Sequence, residues 1–444
     1  MKKRILSIAL ACAMIVASFA GCGGGTTTST DAGSAAGSDA SQAATETKKI
    51  RVAWWGNQVR NDRTTKVLKM YEEKNPGVKF ETEFSDWSGY WDKMATEAAA
   101  NSMPDIIQMD YQYIKQYVNK KQLADLTPYV GKQLKLDDVS QFSVDVGKFN
   151  DKLYGVSLGV TSPAMIYDID SVQQAGVTLK NGMTMSEFID AAKKIKEKTG
   201  KTCDFVYSDG ETMMEYLVRG QGKVLFQDGK LGIDSSKDVL PFFQLFEDGV
   251  KGGYLTSAED LDASVGTGIE QGLLVLGKQW EVMTTSNQLS AYAAAAKDKK
   301  LGIVTWPVGD NDTQKAMFLK PSMYFSVSAA SKNVEECAKV IDFFTNNAEA
   351  YETLLTDRGV PVSNKVQEAI KPKVDESSKQ LFDYISAIES ECSDTNPPPP
   401  AGMTEVATLA HNLTEQVVYQ KLTAQQAADQ FFTQANAILK KAAG

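Results

Sequence analysis

The chain has 444 residues, 56 acidic against 47 basic side chains, one histidine and five cysteines, for a net charge of −9. That acidic balance argues against binding nucleic acid, or an anionic membrane surface, through charge. The body from about residue 48 is near 400 residues, too many for one core, so two lobes are expected.

Lys2, Lys3 and Arg4 precede an apolar run over 5–19, short for a membrane span and laid out like a cleaved export signal over 1–21. The run closes on Phe19-Ala20-Gly21-Cys22. Small residues before a cysteine resemble the lipobox of bacterial lipoproteins, with Phe19 where leucine is usual. The resemblance implies that Cys22 is lipidated and becomes the mature N-terminus. Losing the leader takes 47 bases to 44 against 56 acids, a balance of −12. Residues 22–48 carry no large apolar side chain and read as a flexible, lipid-anchored tether. No later stretch approaches 18 uninterrupted apolar residues, so the anchor is the only membrane attachment expected. Cys203, Cys337 and Cys392 are far apart and no C-x-x-C occurs, so no metal site is expected; one disulfide among the three stays open.

The body opens with a strand over 49–54, in which Ile50, Val52 and Trp54 alternate. A helix over 61–75 follows, stopped by Asn75-Pro76-Gly77, then a strand over 78–84, a helix over 87–102 closed by Pro104, a short apolar strand over 105–109, and a helix over 111–121. This β-α-β-α-β-α order predicts an α/β fold with a parallel, doubly wound sheet. The stretch 154–170 has two readings. Gly155-Val156-Ser157-Leu158-Gly159 matches the G-x-S-x-G pattern of a hydrolase nucleophile. The same stretch also reads as the place where the backbone leaves one lobe for the other. Helices are then predicted over 186–198, 211–219 and 239–248, and a helix-to-strand passage within 266–280. Strands are expected over 301–306 and 323–327. Helices close the chain over 334–346, 351–355, 381–388, 404–420 and 424–442, the third and fourth separated by Asn396 and four prolines.

Distributed motifs in this order resemble the family 1 extracellular solute-binding proteins, the carbohydrate-binding subunits of ABC importers. Val52-Ala53-Trp54-Trp55-Gly56 is similar to the family's first strand and its aromatic end. Tyr71-Glu72-Glu73-Lys74-Asn75-Pro76-Gly77-Val78 resembles its first helix-to-strand turn, and Met103-Pro104-Asp105-Ile106-Ile107 its third strand. Leu153-Tyr154-Gly155-Val156-Ser157 and Met165-Ile166-Tyr167-Asp168-Ile169-Asp170 resemble its crossing, with Ser157 and Asp168 in place of the usual proline and asparagine. Glu270-Gln271-Gly272-Leu273-Leu274-Val275 is a poorer match. Ser331-Lys332-Asn333 with Ala338-Lys339-Val340-Ile341-Asp342-Phe343, and Arg358-Gly359-Val360-Pro361-Val362-Ser363, are close ones. The resemblance covers nearly the whole chain from about residue 48. It implies two doubly wound lobes joined by hinge crossings, 49–159 plus 304–346 and 160–303 plus 347–444, with the ligand between them. It further implies a non-enzymatic, monomeric protein on the outer face of the bacterial cell membrane, handing a mono- or oligosaccharide to ABC permease subunits.

In open α/β sheets ligands sit beyond the carboxyl ends of strands, and a sugar offers an apolar ring face to aromatics and hydroxyls to polar groups. Trp55, Trp87, Tyr111 and Trp280 are the strongest stacking candidates, joined by Tyr90, Tyr113, Trp306 and Tyr324, whereas Trp54 and Trp91 suit the core. Asn57, Arg60, Asp86, Asp110, Thr161, Ser322 and Arg358 are the candidate polar partners. Asp110, directly after an apolar strand, is the foremost of these; it also reads as a helix N-cap, and Arg358 as half of a structural ion pair. No cofactor is expected, and the chain carries no Walker motif. A serine hydrolase would have to pair Ser157 with His411, the single histidine, and needs a strand, sharp turn and helix around the serine; the strand pattern after Pro163 speaks against that. A non-sugar solute, or a sensor kinase as partner, remains an alternative.

Overall fold

The computed structural model describes residues 47–227, 229–397 and 399–442. The proposed leader, Cys22 and most of the tether lie outside the described residues.

The first α/β half follows the predicted alternation: β1 (Lys48–Trp55), α1 (Gln58–Lys74), β2 (Val78–Ser85), α2 (Trp87–Ala99), β3 (Ile106–Met109) and α3 (Tyr111–Asn119). β1 pairs in parallel with β2, Val52 opposite Thr82, and with β3, Val52 opposite Ile106. β3 is buried along its whole length, as a central parallel strand covered on both faces should be. Two later strands complete this sheet: Tyr324–Val327 runs antiparallel to β3, and Val156–Ser157 pairs antiparallel beyond it, Tyr324 opposite Ser157, so that it runs in the same direction as β3. The sheet is therefore mixed, in the order β2, β1, β3, Tyr324–Val327, Val156–Ser157.

The second sheet has Pro163–Asp168 at its centre, flanked by Glu281–Thr285 and Leu301–Val304, both antiparallel to it. The helix-to-strand passage expected within 266–280 is corrected: a short 3-10 turn, Ile269–Gln271, leads through loop to Trp280, and the strand begins at Glu281. Helices Met185–Thr199, Gly210–Gly220, Leu240–Gly252, Met403–Val418 and Ala424–Ala442 surround this half. Met185–Thr199 is held at its start by a capping box between Thr184 and Glu187 and stopped by Gly200 at φ +76°.

Three chain passes run side by side between the two sheets. Val160–Thr161 pairs with Lys320–Pro321, and Val160 bridges Val360. The Gly159 carbonyl accepts from the Ser322 backbone N–H at 2.9 Å and its hydroxyl at 3.1 Å. The approach is close: a Cβ on Gly159 would stand 1.8 Å from the Arg358 carbonyl oxygen, and one on Gly155 2.8 Å from Ile114. Neither glycine has positive φ, so both are required by packing rather than by backbone freedom. Cys203, Cys337 and Cys392 are free thiols. Among the described residues no helix is long and apolar enough to cross a membrane, and no group of three or more His, Cys, Asp or Glu is placed to hold a metal ion.

Candidate ligand-binding cavity

Each of the first three strands passes into a helix through a polar cap. Asn57 accepts from the Arg60 N–H at 3.1 Å, Asp86 from Gly89 at 2.8 Å and Asp110 from Gln112 at 2.9 Å. These side chains satisfy N–H groups that a helix start leaves unpaired. Of the two readings of Asp110, the cap is the one the geometry shows, and the same holds for Asn57 and Asp86.

The caps aim three helix starts at one edge of the sheet and gather aromatics there. Trp55 meets Trp87 edge-on at 5.0 Å between ring centroids, and Trp91 lies 4.0 Å from Tyr113. Trp55 is buried beneath this cluster, while Trp87 stays 38% exposed. Trp87 and Tyr113 wall a cavity of about 170 Å³ together with Gln112 and Gln116. Asp209 and Glu211, at the start of helix Gly210–Gly220, and residues 399–403 also line it.

Glu211 is only 7% exposed, and its carboxyl is met by its own backbone N–H and by the Thr212 hydroxyl. Burial first, then the neighbouring charge of Asp209, pushes that carboxyl up to about 8. Burial likewise pushes the Tyr113 phenol up to about 12, with Asp110 and Glu211 adding to it. Two turns along the same helix, Arg219 is enclosed. Its Nε donates to the Ala316 carbonyl at 3.1 Å, and Nη2 to Ser393 Oγ at 2.6 Å and the Asp394 carbonyl at 2.8 Å, while Nη1 reaches Asn396 Oδ1. Asn396 Nδ2 in turn donates to Glu215 at 2.6 Å, and the Asn396 carbonyl accepts the Tyr111 hydroxyl at 2.7 Å. Asn396 therefore joins α3 to helix Gly210–Gly220 just ahead of the segment that lines the cavity.

Of the residues expected to meet a ligand, Trp87 and Tyr113 line the cavity. The others are placed elsewhere, each for a visible reason. Trp280 is fully buried against Phe188, with ring centroids 5.6 Å apart, inside the second half. Trp306 donates its indole N–H to the Ala164 carbonyl at 2.9 Å under Tyr216. Tyr90 and Tyr324 are core residues whose hydroxyls donate to the Gln108 and Val146 carbonyls, at 2.7 and 2.8 Å. Thr161 donates to Asn287 at 3.0 Å, and Ser322 is engaged by Gly159 and Arg358. Arg60 and Arg358 are buried around Asp357. Arg60 Nε lies 2.8 Å from its carboxylate, and Arg358 Nη2 donates to Thr64 at 3.0 Å and Gln108 at 3.1 Å. Burial, and then Arg60 beside it, pulls the Arg358 guanidinium down to about 10. The ion-pair reading of Arg358 is the one the structure carries.

The hydrolase reading fails on geometry. Ser157 lies on a buried strand and its hydroxyl donates to the Gly159 carbonyl at 3.0 Å; another strand follows, not a helix. His411 sits on helix Met403–Val418, with Nδ1 3.2 Å from the Tyr207 carbonyl.

Two α/β halves joined by adjacent, antiparallel passes of chain, with an aromatic-walled cavity between elements of both, define a two-lobe binding protein. Residues 55–351 match the family of bacterial extracellular solute-binding proteins, and the chain belongs to that family. It is 24% identical over 394 residues to a maltooligosaccharide ABC transporter solute-binding lipoprotein of Streptococcus pneumoniae, covering 85% of this chain and 86% of that one. It is 23% identical over 192 residues to an arabinooligosaccharide-binding protein of Bacillus subtilis, a match spanning 42% of this chain and less than half, 44%, of the relative. Its fold is similar to that of a periplasmic oligogalacturonide binding protein from Yersinia enterocolitica solved with saturated digalacturonic acid. There the TM-score is 0.78 and the identity 21%, over 89% of this chain and 99% of the other.

Proposed function

We propose that this protein captures a mono- or oligosaccharide outside the cytoplasm and presents it to the membrane subunits of an ABC permease, as a non-enzymatic monomer tethered through a lipidated Cys22. The observation that carries the reading is the wall of the cavity. An exposed indole and a half-buried phenol share it with two carboxyls and the side-chain amides of Gln112 and Gln116. Aromatic faces suit the C–H side of a pyranose, and amides and carboxyls suit its hydroxyls. The relatives bearing oligosaccharide names support the same ligand class.

The packing also suggests lobe limits that differ from those implied by the motifs. Helix Ala348–Leu354 packs on α1, and Ser363 donates to Asp138 at 2.9 Å, which supports grouping 320–374 with 48–159. Trp306 and Phe318 pack under Tyr216 and Arg219, which supports grouping 305–319 with 160–304 and 375–442. Closure of one lobe on the other around the sugar then excludes water from the cavity.

The test is a thermal-shift screen against neutral and acidic sugars, followed by titration of tryptophan fluorescence. A true ligand raises the melting temperature progressively with concentration. If no sugar does so, the carbohydrate reading fails while the family assignment stands.

A further inference from the structure

α3 presents one polar face to the cavity. Ile114, Tyr117 and Val118 are buried, which fixes the rotation of the helix. With about 3.6 residues per turn, Gln112, Gln116 and Asn119 then stand in one row, and all three line the cavity. At about 1.5 Å of rise per residue the row runs for about 10 Å, further than one pyranose ring reaches.

The two ends of the row differ in chemistry. At the start of α3 stand Tyr113 and Trp87, with ring centroids 6.0 Å apart. Among the described residues these are the only aromatic side chains that line the cavity. Asn119, the last residue of α3, lies two turns further on, and both it and Gln116 are exposed. A sugar ring stacked at the aromatic end would leave these two amides in water and gain nothing from them. An amide offers a donor and an acceptor together, which suits the paired hydroxyls of a second ring. Resting on the carbohydrate reading above, we propose that α3 carries two sugar subsites in tandem: one unit stacks on Trp87 beside Tyr113, and Gln116 and Asn119 bond the hydroxyls of the next, so that the ligand is a disaccharide or longer and Asn119 is the residue that reads its second unit. With no aromatic face at that end, the second unit is held by hydrogen bonds, and its contribution follows the configuration of its hydroxyls.

The experiment is calorimetric titration of the protein with matched pairs: glucose with maltose, galactose with galactobiose, arabinose with arabinobiose, and N-acetylglucosamine with diacetylchitobiose. In the pair that binds, the disaccharide should be tighter than its monosaccharide by about tenfold or more, the worth of two or more hydrogen bonds. Asn119→Ala should weaken the disaccharide by about fivefold and leave the monosaccharide within about twofold, and adding Gln116→Ala should take the loss on the disaccharide beyond about tenfold. The sugar-free melting temperature should stay at the wild-type value, because both side chains are exposed. A monosaccharide too weak to measure, beside a disaccharide that binds and weakens in Asn119→Ala, also supports the proposal. A monosaccharide bound as tightly as its disaccharide, a disaccharide unmoved by Asn119→Ala, or an equal loss on both sugars overturns it and leaves the carbohydrate reading intact. Absence of binding by every sugar overturns both.

Discussion

The Tyr111 hydroxyl donates to the Asn396 carbonyl across 2.7 Å, joining residues 285 positions apart in sequence. Tyr111 stands at the start of α3, and Asn396 is held from the other side by Arg219 and Glu215. Neither Tyr111 nor Asn396 lines the cavity, so their bond acts on the closed arrangement and not on the ligand. Tyr111→Phe removes it while keeping the ring. A neutral hydrogen bond is worth about 1 kcal/mol. The sugar dissociation rate should therefore rise about fivefold, with association nearly unchanged, in stopped-flow tryptophan fluorescence. An equal change in both rates would remove the assignment of this bond to closure.

Two tryptophans should separate binding from folding. Trp87→Ala strips an exposed ring from the cavity wall, so sugar affinity should fall by about tenfold or more while the melting temperature moves little. Trp280→Ala empties a fully buried site against Phe188 and should cost about 3–5 kcal/mol of stability in urea. A stable Trp280→Ala protein that has lost sugar binding would return Trp280 to the ligand.

Asp357 sits between Arg60 and Arg358 with almost no exposure. Burial works to raise its carboxyl, but the two guanidiniums prevail and hold it below the ordinary value of 3.8. A depressed acid stabilises the fold fully above its unfolded value, and that contribution is lost as pH falls through the lower folded value. Asp357→Asn should therefore cost about 3–5 kcal/mol near neutrality, because two buried cations lose their counter-charge. The gap to wild type should narrow below pH ~4. Urea midpoints at pH 7 and pH 3 read both effects.

The crossing should tolerate no added methyl group at its closest point. Gly159→Ala would set a Cβ 1.8 Å from the Arg358 carbonyl oxygen, which is backbone and cannot swing aside. We expect loss of several kcal/mol, or of soluble protein altogether. Gly77→Ala meets no atom within 4 Å and should stay within about 0.5 kcal/mol of wild type. Denaturation midpoints of the two variants make the comparison internal.

What the sequence disclosed depended on how local the cause was. β1, β2 and β3 and their helices were legible because their apolar strands, Asn75-Pro76-Gly77 and Pro104 act within a few residues. Asp110 kept two readings because a strand-end acid and an N-cap are the same residue until the Gln112 N–H is placed against it. Trp280 misled because its partner, Phe188, lies on a helix some 90 residues earlier, and only tertiary packing decides which way the ring turns. Arg358 needed Asp357 and, across 297 positions from that aspartate, Arg60. Glu211 was visible as the start of a predicted helix, but nothing local announced that 399–403 would line the same cavity. The antiparallel direction of Tyr324–Val327 was likewise hidden, because strand direction follows from which side the chain re-enters a sheet.

That strand fixes an order of events during synthesis. Tyr324–Val327 lies between β3 and Val156–Ser157, so the earlier segment has no edge to join until the later one has arrived. About three quarters of the chain must therefore be made before the first sheet can be finished. Contacts of such long sequence separation form slowly, so the first sheet is the last part of this half to be completed.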